Sequence, residues 1–207
     1  MLHTVHHPLI AEELTALRDP ACPSPEFRQR MRRIASLMVP AVTAHLPISV
    51  VACNTPLELT SGTRVSRRIT LVPVLRAGLG FLDGFLDLIP QASVAHIGLA
   101  RNEQTLEAEP YYLKHPPVLE DDEVIILDPM LATGGSAIEA VRSLTGAGAR
   151  HIRFVCLVAA PEGVASLEQA FPKLPIYAAC LDRALNDRGY ILPGLGDAGD
   201  RLFGTYA

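Results

Sequence analysis

One segment restricts the fold of this chain more than any other: Val124-Ile-Ile-Leu-Asp128-Pro-Met-Leu-Ala-Thr133-Gly134-Gly135-Ser136. Four consecutive large apolar residues suit a strand buried on both faces, the habit of parallel sheets covered by helices. The run ends in an acid, passes through small residues and gives way over 136–144 to helical spacing. A strand, a tight turn and a helix in that order mark an α/β chain. They also put Asp128 at the carboxyl end of a central strand, where open α/β sheets bind ligands.

The surrounding sequence repeats the alternation. Strands are expected over 49–53, 68–75, 94–100, 152–160 and 176–181, and further helices over 78–88 and 163–171. The expectation is therefore a mostly parallel sheet flanked by helices, in one domain spanning 1–207, and 49% hydrophobic content supplies the core. The first fifty residues read as helical. Pro8 opens a helix with Leu9, Ile10, Leu14 and Leu17, and Pro25 a second with Phe27, Met31, Ile34, Leu37 and Met38 on one face. Arg28, Arg30, Arg32 and Arg33 alternate with that face and read as its solvated side. The polar segment 103–117, with three prolines, reads as an excursion from the sheet, a hairpin arm carrying Tyr111 and Tyr112; 182–207 reads as loop with short strands.

Composition excludes several function classes. With 18 Lys and Arg against 22 Asp and Glu, the net charge of -4 argues against nucleic acid or an anionic membrane as a partner. Apolar stretches such as 48–53 and 124–127 fall far short of the roughly 20 residues of a membrane span, and the start of the chain lacks a secretory pattern, so the cytoplasm is expected. Cys22, Cys53, Cys156 and Cys180 form no C-x-x-C pair, which argues against a disulfide scaffold or zinc module; Cys156 and Cys180 sit in apolar runs and read as small buried hydrophobes. His3, His6 and His7 read as a frayed end. The remaining histidines lack ligand spacing, and no general base is identified.

The 128–136 segment has the makings of an anion cradle. Gly134 and Gly135 let backbone N–H groups approach a phosphate, Thr133 and Ser136 add hydroxyls, and the following helix contributes its N-terminal N–H groups and dipole. Ser136 and Glu139 fit a capping box. A carboxylate beside a phosphate calls for a cation or sugar hydroxyls between them, which suggests a sugar phosphate. Other phosphate folds drop out. No Gly-Lys-Ser/Thr is present, Gly194-Leu-Gly196-Asp-Ala-Gly199 lies too near the end for a βαβ unit, Gly84 is displaced from the register of Gly78 and Gly80, and no G-x-S-x-G elbow occurs.

These residues resemble the type I phosphoribosyltransferases, in the form used by uracil phosphoribosyltransferases. Asp128 to Ser136 looks like the loop that binds 5-phosphoribosyl-1-diphosphate (PRPP). Val72-Pro-Val-Leu-Arg76-Ala-Gly78-Leu-Gly80 resembles the pyrophosphate loop, Gly98-Leu-Ala-Arg101-Asn-Glu the second arginine segment, and the stretch from Gly189 to Asp200 the uracil-binding loop. His7-Pro8-Leu9 fits the family's start. Two positions depart: Pro129 stands where most type I members carry a second acid, in agreement with the uracil subgroup, and Ala100 stands where tyrosine is common.

The resemblance implies the type I fold with a C-terminal hood over the base, and a reaction that replaces the pyrophosphate of PRPP by N1 of uracil to give UMP. It implies Arg76, Arg101 and Asp128 as catalytic groups. Those three, with Pro129, Met130, Leu131, Ala132, Thr133, Gly134, Gly135, Ser136 and Asp197, are implied to bind PRPP. Ile191, Gly196, Asp197 and Ala198 are implied for uracil. Two arginine forks suit pyrophosphate oxygens, and glycine-rich backbone suits a nearly uncharged base. Mg²⁺, with protein ligands unspecified, is the implied cofactor; GTP as effector and a homo-oligomer are further expectations. Transfer to another nucleobase, or a nucleotide-sensing regulator on the same fold, are the competing readings.

Overall fold

The computed structural model describes residues 1–101, 108–116 and 119–205, Arg101 and Ala108 by their backbone alone. Strand β1 (Leu2–Thr4) precedes helices α1 (Pro8–Arg18) and α2 (Ser24–Thr43), followed by strands β2 (Ile48–Asn54) and β3 (Leu59–Val65). The central part runs β4 (Ile69–Leu75), α3 (Leu79–Leu88), β5 (Ser93–Val94), β6 (His96–Arg101), β7 (Ala108–Lys114), β8 (Glu123–Leu127) and β9 (Met130–Leu131). Then come α4 (Gly135–Gly146), β10 (His151–Ala159), α5 (Pro161–Ala170), β11 (Ile176–Leu181), β12 (Ala184–Leu185), β13 (Ile191–Leu192) and α6 (Ala198–Phe203).

Among the described residues the main sheet runs β1-β11-β10-β8-β4-β6-β7, with β5 on β4 and β9 on β10. Every pairing in it is parallel except β6 with β7. Because side chains alternate across a strand, each central strand feeds two cores. Leu71, Ile125, Leu127, Val155 and Leu157 pack in one core with α1, α2 and α3, while Val72, Val74, Val124, Ile126, Phe154 and Cys156 pack in the other with α4 and α5. From β4 the chain crosses through α3 to β6 on one side; from β8 it crosses through α4 to β10 on the other. The connections thus diverge between β4 and β8, and a crevice opens at their carboxyl ends.

Four elements differ from the sequence expectation. Residues 3–7 are not frayed: β1 lies parallel to β11, His3 stacks on Tyr177 at 5.0 Å, and His7 Nδ1 accepts from Leu9 N–H to cap α1. Strand 49–53 exists as β2 but leaves the sheet, pairing only with β3 in an antiparallel ribbon. Ile48, Val50 and Leu59 on it are 65%, 76% and 70% exposed. The described part of 103–117 is the return limb of a hairpin, yet it stays in the sheet as edge strand β7; Gly98 makes room there for the Tyr111 ring. Residues 102–107 and Pro117 lie outside the described residues. Finally, 198–203 is helical, where loop and strands were expected.

Several surface readings also gain detail. Arg30 pairs with Glu13 and Glu26, Arg32 with Asp87, and Arg33 with Glu13, while Arg28 Nη1 donates to the Leu202 carbonyl at 2.7 Å. All four cysteines are free. Cys156 is fully buried, as expected; Cys180 is only partly buried and sits 3.4 Å from Asp182. Among the described residues no helix is long and apolar enough to cross a membrane.

Candidate active site

The crevice is shaped by how β8 hands over to α4. Pro129 O accepts from Leu157 N (3.0 Å) and Val158 N (3.1 Å), pinning the chain to β10 just after Asp128. Leu131 O accepts from Ala160 N at 2.8 Å, and a Cβ on Gly163 would stand 2.3 Å from Ala132 O, so α5 presses against the loop from behind. Gly134 then turns the chain at φ 90° and serves as N-cap of α4, without a side-chain cap. The helix therefore starts one residue earlier than expected. Ser136 lies inside its first turn and Glu139 accepts from Ser143 Oγ, so the Ser136–Glu139 capping box does not form. The first N–H groups of α4, left without a cap, are oriented as an anion would need them.

The cavity at this point has a volume of about 380 Å³. Its floor and one wall are Asp128, Met130, Leu131, Ala132, Thr133, Gly134, Gly135 and Ser136; Arg76 comes from the end of β4. The opposite wall is the C-terminal segment, with Ile191, Gly196, Asp197 and Ala198. The fold thus brings together all the residues singled out in sequence except two. Pro129 is turned away, holding the loop to β10, and the side chain of Arg101 lies outside the described residues, although its backbone ends β6 two strands from β8. Ala77, Ala137, Gly189, Tyr190 and Gly199 also line the cavity. Ala77, Ala137, Tyr190 and Gly199 each adjoin a residue already singled out, and Gly189 opens the segment matched to the uracil-binding loop, so adjacency and the matched segment were the available signals.

The electrostatics are uneven. Asp128 has some access to the cavity, but burial pushes its carboxyl up to about 7, with the Met130 N–H opposing at 3.4 Å. Arg76 is the facing cation. Its side chain is 57% exposed, its Nη2 lies 3.2 Å from Asp200 Oδ1, and its guanidinium stands 5.7 Å from the Phe203 ring. Asp197 caps α6 by accepting from Asp200 N–H. Among the described residues no group of three or more His, Cys, Asp or Glu is placed to hold a metal. The carboxylates that reach the cavity, Asp128 and Asp197, are hard oxygen donors. A pair of such donors matches the habit of Mg²⁺, which takes one or two carboxylates and fills its shell with substrate oxygens and water.

Comparisons with known proteins agree with this layout. The family model described as uracil phosphoribosyltransferase matches residues 4–205. A uracil phosphoribosyltransferase from Ligilactobacillus salivarius is 53% identical over 200 residues, 96% of each chain, and one from Fervidobacterium nodosum is 50% identical over 206 residues, covering 99% of this chain and 100% of the relative. A solved protein from Aquifex aeolicus superposes with TM-score 0.93 at 35% identity over 100% of both chains. A hypoxanthine phosphoribosyltransferase from Staphylococcus aureus, 13% identical with TM-score 0.52 over 77% of this chain and 75% of its own, shares the fold.

Proposed function

The chain belongs to the uracil phosphoribosyltransferase family, and from that premise we propose how its own residues carry the transfer of a phosphoribosyl group from PRPP to uracil. The observation that carries the reading is a single cavity with an uncapped helix start on one side, Arg76 at its mouth and glycine-rich backbone opposite. In it the 5′-phosphate of PRPP lies on the N–H groups at the start of α4, with Thr133 and Ser136 donating hydroxyls. Asp128 accepts from the ribose hydroxyls. Arg76 and Arg101 receive the pyrophosphate. Ile191, Gly196 and Ala198 read the base through backbone groups, with Asp197 between base and ribose.

As the bond from the anomeric carbon to pyrophosphate breaks, charge grows on the leaving oxygens and positive character on the ribose. The arginines stabilise the first, and the carboxylate of Asp128 stands near the second. The bond from N1 to the anomeric carbon forms as the bond to pyrophosphate breaks, and the N1 proton passes to the departing pyrophosphate or to water. The N–H cradle holds the phosphate through the step, fixing the ribose between base and leaving group. Mg²⁺ would be held by PRPP oxygens with Asp128 or Asp197 and would supply further charge neutralisation at pyrophosphate.

The wider reading is one catalytic domain over 1–207 that works as a homo-oligomer in the cytoplasm. Support for the domain is a sheet that draws strands from residue 2 to residue 181. Support for assembly is the exposed apolar ribbon β2–β3. Support for the compartment is that PRPP and UMP are charged metabolites that do not cross membranes, together with four unpaired thiols. The deciding experiment is UMP formation from PRPP with and without Mg²⁺ and GTP, against a panel of bases. Uracil is expected to turn over in a Mg²⁺-dependent way; turnover of hypoxanthine or orotate with none of uracil sinks the substrate assignment.

A further inference from the structure

The C-terminal wall is held by a polar cluster that does not itself line the cavity. Arg18, the last residue of α1, donates from Nη1 to Asp182 Oδ2 (2.9 Å) and to the Gly194 carbonyl (2.7 Å), and from Nη2 to Asp182 Oδ1 (2.6 Å). Asp182 Oδ2 accepts in turn from Gly194 N–H at 3.0 Å. The two side chains are 22% and 3% exposed. Burial raises the Asp182 carboxyl, but the hydrogen bond and charge of Arg18 and the Gly194 N–H outweigh it and hold the group below its ordinary value. A two-point guanidinium–carboxylate contact is strong and fixes orientation as well as distance.

Both backbone polar groups of Gly194 are therefore gripped by one ion pair. Gly194 sits at φ +61°, and a Cβ there would stand 2.1 Å from Ile191 O, so the turn is drawn tightly onto Ile191. On the far side Arg201 Nη1 donates to Leu195 O (2.7 Å) and Leu17 O (2.5 Å). The clamped pair Gly194–Leu195 lies between Ile191 and Gly196–Ala198, the backbone that faces the cavity. A base read by backbone has no side chain to adjust around it, so recognition depends on where the chain is held.

We infer that Arg18 and Asp182 are positioning residues for the base subsite, setting where Ile191, Gly196 and Ala198 meet uracil while leaving the phosphate loop untouched. This rests on the proposed base subsite. The test uses the full-length enzyme and its Arg18→Ala, Arg18→Lys and Asp182→Asn variants, measuring KM for uracil, PRPP affinity by calorimetric titration, and melting temperature. Arg18→Ala and Asp182→Asn are expected to raise KM for uracil about tenfold or more, the scale of one lost charge-assisted contact, with PRPP affinity within about twofold. A lower melting temperature with unchanged KM for uracil overturns the inference, as does an equal loss for both substrates. Where Arg18→Ala melts too low to assay, Arg18→Lys, which keeps the charge and loses the fork, decides by the same split. Failure of the underlying reading looks different, because the wild-type enzyme would then show no saturable use of uracil.

Discussion

Gly134 and Gly135 lack side chains for different reasons, and mutation separates them. Gly134 has φ +90°, and a Cβ would come within 3.1 Å of Gly163 O and Ser166 Cβ. At Gly135 a Cβ would meet only Thr133 Oγ1, at 3.9 Å, and would project into the cavity. Gly134→Ala is therefore expected to destabilise the fold by about 1–2 kcal/mol, whereas Gly135→Val leaves the chain folded and nearly abolishes PRPP binding. Calorimetric titration beside a melting curve checks both, and near-normal PRPP affinity in folded Gly135→Val removes the phosphate-loop assignment. Asp128 gives a pH prediction. Its folded value of about 7 lies above the unfolded value of about 3.9. Between pH 4 and 7 the folded chain thus holds a proton that the unfolded chain has released, and stability falls as pH rises through that window. Asp128→Asn removes the effect, so without PRPP or Mg²⁺ the variant should melt about 10 °C higher than wild type at pH 8, from roughly 4 kcal/mol. The gain should shrink to half or less by pH 5. A gain independent of pH would contradict the burial of this carboxyl.

The elements differ in how far local sequence determines them. β4, β8, β10 and β11 were legible because burial on both faces leaves continuous apolar runs, and the phosphate loop because its parts are contiguous. β1 is three residues long, and what stabilises it is the distant edge of β11. β3, Leu-Thr-Ser-Gly-Thr-Arg-Val, is too polar to read as a strand, and its pairing with β2 gave β2 a different place from the one its apolar pattern implied. The six-residue α6 is too short to show an amphipathic repeat, although Ala198, Gly199, Arg201 and Leu202 are all buried where it docks. The Arg18–Asp182 pair joins residues that nothing local connects. An isolated two-stranded ribbon is marginal in water, so β2–β3 with its exposed Val50, Leu57 and Leu59 is expected to be covered by a second copy of the chain. Replacing Val50 and Leu59 by Ser should move the mass from light scattering toward the 22.3 kDa of one chain. An unchanged mass assigns assembly to another surface.

Across the whole molecule, the cavity lies where two crossover directions part, and its walls come from the middle and the C-terminal part of the sequence. The phosphate loop and its backing helix are built from 128–170. The base wall, by contrast, is sequence from beyond 181 that is fastened to α1: Arg18 grips Asp182 and Gly194, Arg201 grips Leu17, and β1 lies along β11. Arg18 and Asp182 stand 164 residues apart in the chain, so the ribosome delivers them about 8–33 s apart. Through that interval β1, the Leu17 carbonyl and Arg18 wait for their partners, while Glu13 already has Arg30 and Arg33. A nascent chain that stalls before residue 176 lacks both β11 beside β10 and the base wall opposite the anion cradle. The cavity is complete only once Ile191–Ala198 has been made and fastened to α1.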